Sequence, residues 1–140
     1  IRSGSVLLKK FLTATMFLAP FFVPDLAVAQ SANKSPKAAT ELEVLTYVNI
    51  SIATFCEARD LKIEFPKSLR IAVATQGYPI YSKHGGLVPG ATKPLPQKQF
   101  IGNASFMVVG GALKLCPNAV PAAEKKKFED SVAARKKSKN

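Results

Sequence analysis

With one histidine, two cysteines and no tryptophan in 140 residues, this chain is short of the side chains that gather at most enzyme sites. His84 has no second imidazole with which to share a metal, so the histidine-rich metal centres are excluded. Acidic residues are also scarce, nine against twenty Lys and Arg, and none lies between Glu64 and Glu124. Beyond the first thirty residues there is no internal repeat, heptad run or pair of membrane-length apolar spans. That excludes solenoid, coiled-coil and polytopic membrane architectures.

What is present begins with a targeting signal. Arg2, Lys9 and Lys10 form a positive n-region, Phe11 to Val23 an apolar h-region, and Ala27-Val28-Ala29 a small-residue cleavage site before Gln30. The competing reading is a retained membrane anchor. A spanning helix needs about 20 apolar residues, whereas this run is shorter, broken by Pro20 and Pro24 and closed by Asp25. A signal peptide over residues 1–29 is the expectation, which leaves 111 of the 140 residues, enough for one domain. Seventeen basic and eight acidic residues remain, a net charge of +9. An exported compartment is oxidising, and Cys56 and Cys116 are expected to pair there.

Residues 30–39 lack periodicity, carry Pro36 and read as a flexible leader. Thr40 and Glu43 then form a capping box, and the run Leu45, Val48, Ile52, Phe55, flanked by Leu42 and Cys56, predicts a helix over about 41–60. Pro66 can open a second helix with Leu69, Ala72, Val73 and Gln76 on one face and Gly77 as its stop. From Tyr78 to Pro96, with Pro79, Pro89, Pro94 and Pro96, a long loop is expected, and long loops in compact domains are commonly functional. A third helix fits Gln97 to Leu115 with Ile101, Ala104, Val108, Gly111, Ala112 and Leu115 on its stripe. Pro121 can start a fourth, with Phe128 and Val132 as core contacts and residues 135–140 as a basic tail. The expected fold is an all-α bundle of about four helices over residues 40–134 with one disulfide.

Candidate chemistry is sparse. Glu57, Asp60 and Glu64, interleaved with Arg59 and Lys62, read as a solvated helix end. His84 sits among Ser82, Lys83, Gly85 and Gly86, where the plain reading is a turn with an exposed imidazole. The one-signed middle segment says more: Lys67, Arg70, Lys83, Lys93 and Lys98, with His84, form a candidate anion-binding set. Its partner would be an acidic protein or an anionic membrane surface. Nucleic acid is disfavoured because no aromatic platform accompanies the charge. No cofactor or metal is expected.

Several segments carry a resemblance: Thr40 to Asn49, Phe55-Cys56-Glu57-Ala58-Arg59, Lys83-His84-Gly85-Gly86, Leu115-Cys116-Pro117, and Val120-Pro121 with Lys126-Lys127-Phe128. Together they resemble a family of small exported cyanobacterial proteins, some of which carry the label cAMP phosphodiesterase. The resemblance implies a periplasmic or thylakoid-lumenal protein and, under that label, an enzyme with His84 as acid or base. Phosphodiesterases of the familiar classes look like metal enzymes with several histidines and aspartates, whereas this chain offers His84, Asp60 and Asp130 after the signal segment. The first expectation is therefore a non-catalytic exported domain binding an acidic partner. A phosphodiesterase-like enzyme and a membrane-tethered subunit are the alternatives.

Overall fold

A computed structural model of the protein describes residues 35–138, and the signal segment falls outside them. Four helices follow in order: α1 Glu41–Asp60, α2 Phe65–Ser82, α3 Gln97–Leu115 and α4 Ala122–Lys137, with a single 3-10 turn, Pro117–Ala119, between the last two. No strand occurs among the described residues. The all-α expectation holds.

The capping box forms as expected. Thr40 N–H donates to Glu43 Oε2 at 2.9 Å, and Glu43 N–H donates to Thr40 Oγ1 at 3.2 Å, satisfying two donors of the first turn. The buried face of α1 is rotated from the expected one. Leu42 and Leu45 are exposed, and Ser51, Phe55 and Ala58 are buried. Ser51 can sit at the centre because its hydroxyl donates to the Val48 carbonyl at 2.8 Å and faces the buried Gln76 amide of α2. On α3 the stripe shifts similarly: Phe100, Ala104, Val108, Val109 and Ala112 are buried, whereas Ile101 and Leu115 are exposed.

Helices α1, α2 and α3 pack against one another, and α4 lies on α3. Phe55, Ala72, Val108 and Ala112 form the heart of one apolar cluster, and Ile80, Phe100 and Ala104 of a second. Small residues set the approach of α1 and α3, since a Cβ at Gly111 would overlap the Ile52 side chain. The Cys56–Cys116 disulfide joins the end of α1 to the residue after α3, with Cα atoms 6.0 Å apart. Arg59 fastens the same corner by donating to the Ala119 carbonyl at 2.8 Å and the Ile63 carbonyl at 2.6 Å.

Two boundaries differ from expectation. Helix α2 does not stop at Gly77 but runs through Pro79 to Ser82. A helix-interior proline costs about 3 kcal/mol, and packing offsets it: Ile80 is 1% exposed, and the Tyr81 hydroxyl donates to the Leu95 carbonyl at 2.7 Å. The end of the leader is also anchored, because Ala39 is buried and its N–H donates to the Leu87 carbonyl at 3.0 Å. Helix α4 has no buried residue and extends into the expected tail, where the Arg135 guanidinium lies 3.9 Å above the Phe106 ring.

Candidate functional site

The loop that proline and glycine content marked for function turns out to be a structural clasp. His84 is 3% exposed, not the exposed imidazole of a simple turn. A carbonyl only accepts, so Nδ1–H donates to Lys37 O at 2.9 Å, and in the neutral ring Nε2 accepts from the Tyr47 hydroxyl at 3.1 Å. Both nitrogens are engaged by protein. Gly85 and Gly86 turn the loop with positive φ, and Pro36 of the leader lies against Gly85. The imidazole thus pins leader, α1 and loop together.

Lys83 is engaged as well. Its Nζ lies 2.7 Å from Glu43 Oε1, and this contact, with the Thr40 N–H, holds the Glu43 carboxyl down at about 2 from its usual 4.5. The same pairing raises Lys83. The six candidate anion-binding residues therefore do not form one cluster. His84 and Lys83 belong to the clasp at the N-terminus of α1, Lys67 is 3.6 Å from Glu64 in an exposed pair, and Arg70, Lys93 and Lys98 are in no ion pair among the described residues.

What the structure assembles instead is an open groove of 770 Å³ between α2 and α3. Leu69, Val73, Tyr81 and Phe100 shape its floor, and Tyr78 and Ile101, 77% and 53% exposed, stand on its walls. Gly77 favours this geometry: a Cβ there would lie 2.9 Å from the Phe100 ring, so any larger residue would make the ring give way. Phe100 stacks edge-on against Tyr81 with ring centroids 5.5 Å apart, and burial raises the Tyr81 hydroxyl's pKa. Arg70 lines the groove from α2, with Gln97 and Ser105 from α3. A carboxylate on the lining, Glu124, is held by Lys127 at 2.7 Å. The size lies within the usual range of small-ligand sites, about 300–1,000 Å³.

Sequence reasoning found Arg70 but not the groove. The signal was present in Leu69, Val73, Gly77 and Tyr81, each four residues from the last, and it was hidden by taking Gly77 and Pro79 as helix breakers. A second hollow of 830 Å³ lies beside the disulfide, lined by Glu57, Asp60, Lys62 and Asn118. Its charges are of both signs, and no group of three potential metal ligands occurs among the described residues. The carboxylates there behave as the solvated helix end that was expected. Arg59, rather than pairing with them, serves backbone carbonyls.

Fold and groove together define a small disulfide-tied four-helix domain with an apolar, cation-edged cleft. No helix among the described residues is long and apolar enough to cross a membrane. The chain belongs to a family described as a domain of unknown function, DUF8650, whose model matches residues 42–139. No curated protein and no solved structure matches the chain at a significant level.

Proposed function

We propose that the domain is an exported, non-catalytic binding module whose α2–α3 face holds an anionic, partly apolar partner of the kind a lipid surface presents. The observation that carries this reading is the groove itself. Its floor is apolar, Arg70 on its lining is in no ion pair among the described residues, and the one lining carboxylate, Glu124 of α4, is paired with Lys127. Lys67 and Lys98, on the same two helices, add positive charge that steers anions. The exposed Glu64 contact of Lys67 offsets little of that charge.

Two further features favour this reading over an enzyme centred on His84. The imidazole has both nitrogens on protein partners and is 3% exposed. The disulfide suits the oxidising compartment to which the signal segment points. The test is co-flotation with vesicles of neutral phosphatidylcholine alone or with added phosphatidylglycerol. The protein is expected to float only with the anionic vesicles, to be released as salt rises past about 0.15 M, where the screening length is ~8 Å, and to lose retention when Lys67, Arg70 and Lys98 are all changed to Gln. Equal flotation on neutral vesicles, or retention by the triple variant, overturns the proposal. Cyclic-AMP hydrolysis lost in His84→Ala would likewise replace it with the enzyme reading.

A further inference from the structure

We infer that the α2–α3 groove takes a single-chain anionic amphiphile, a fatty-acid carboxylate, with its head on Arg70 and its tail along the helices toward Tyr81. This deepens the proposed function and rests on its assignment of the face. Polar and apolar groups are segregated in a way that suits such a ligand. Among the described residues the Arg70 guanidinium is in no ion pair; Phe65, Pro66 and Leu69 lie on one side of it along α2, Val73, Tyr78 and Tyr81 on the other, and the lining carboxylate Glu124 is paired with Lys127.

Length supports the same occupant. From Arg70 to Tyr81 is eleven residues of α2, about 16 Å at 1.5 Å per residue. Half of the ~30 Å hydrocarbon core of a bilayer, the reach of one acyl tail, is about 15 Å. Continuing the helix through Pro79 is what gives the groove this length. An acidic amphipathic helix would carry its charges along its length and call for cations along the floor. Here the floor is aromatic and aliphatic, and Arg70 is the one cation on the lining. The lining tyrosines are spent in different ways: Tyr81 gives its hydroxyl to Leu95, while Tyr78 is exposed and can close over a bound chain.

The test is calorimetric titration of the disulfide-bonded protein with dodecanoate, octanoate and dodecyltrimethylammonium, each below its micelle-forming concentration, with an acidic amphipathic peptide in a separate arm. Dodecanoate is expected to bind one to one. A fully buried methylene is worth about fourfold in affinity and a half-covered one about twofold, so the four fewer methylenes of octanoate should weaken binding about 16-fold. The cationic amphiphile should bind at least about tenfold more weakly than dodecanoate, and Arg70→Ala should erase that preference.

Ile101→Arg separates the groove from simple charge attraction, because it adds a cation while blocking the apolar wall. Ile101 is half exposed, so the variant keeps the core intact. Dodecanoate binding should fall at least about tenfold in Ile101→Arg and severalfold in Tyr78→Ala. Unchanged or tighter binding by Ile101→Arg overturns the inference, as does peptide binding without dodecanoate binding. Flotation on anionic vesicles without a one-to-one dodecanoate complex overturns the groove ligand and leaves the surface reading standing. Loss of both overturns both.

Discussion

Opening the Cys56–Cys116 bridge removes the one covalent link between α1 and the end of α3. The two residues are 60 apart in sequence. In the loop-closure description a cross-link of that span withholds about 14 cal/mol/K of chain entropy from the unfolded state, about 4 kcal/mol at 25 °C. Domains of this size are stable by about 5–15 kcal/mol, so the bridge supplies a large share. Both sulfurs pack against the Phe55 and Val108 cluster, and the Cys56→Ser, Cys116→Ser variant therefore loses some packing as well. The expected loss is about 4–5 kcal/mol, or a fall in Tm of about 15–30 °C, measured by urea and thermal unfolding of wild type and double variant. The slope of unfolding against urea should also rise, because the uncrosslinked chain exposes more surface when it unfolds. A loss below about 1 kcal/mol with an unchanged slope would refute the reasoning. It would mean that packing of Arg59 and the 3-10 turn, not the cross-link, holds that corner.

Three other substitutions probe the clasp and the groove wall. His84→Ala strands the Tyr47 hydroxyl and the Lys37 carbonyl and should cost about 2–3 kcal/mol by urea unfolding while leaving vesicle retention intact; an unchanged midpoint would show that the leader is not pinned. Glu43 has its pKa lowered in the folded state, so its contribution is complete above the ordinary value of 4.5 and is lost as pH falls toward about 2. Glu43→Gln should therefore flatten the acid limb of urea midpoint against pH over that window, and parallel limbs for the two proteins would contradict the assignment. Gly77→Ala would stabilise an ordinary exposed helix by up to ~1 kcal/mol, but here the new Cβ meets the Phe100 ring, itself 6% exposed and set against Tyr81, so a net loss of about 1 kcal/mol is expected. A gain would show that the ring moves freely.

Local chemistry was legible in the sequence, and tertiary balance was not. The capping box, the helix over residues 41–60 and the start of α3 at Gln97 follow from short-range rules that packing here reinforces, and the cysteine pair was expected from the oxidising compartment that the signal segment implies. On α3 the expected Ala104, Val108 and Ala112 are buried and on α1 Phe55 is, but Ile101, Leu115, Leu42 and Leu45 were placed inward because size and apolarity were weighed above fit. Ser51 is buried because its hydroxyl is satisfied by the Val48 carbonyl and by Gln76, which was expected on the inner face of α2, while Leu42 and Leu45 are left outside. Gly77 and Pro79 read locally as a stop, yet Ile80 and Tyr81 gain enough on the core to carry the helix onward. His84 was misread for the same reason: nothing near it in sequence announces Tyr47 or Lys37, 37 and 47 residues away. The groove depends on this extension of α2, which is why Arg70 was named without the surface it serves.

The most direct test of the account is to map binding residue by residue, following backbone amide resonances of the labelled protein as dodecanoate or phosphatidylglycerol nanodiscs are added. The account predicts the largest shifts at Arg70, Val73, Gly77, Tyr81 and Ile101, with little change around His84 or along α4. Shifts concentrated instead in residues 83–90, or on the basic face of α4, would contradict it.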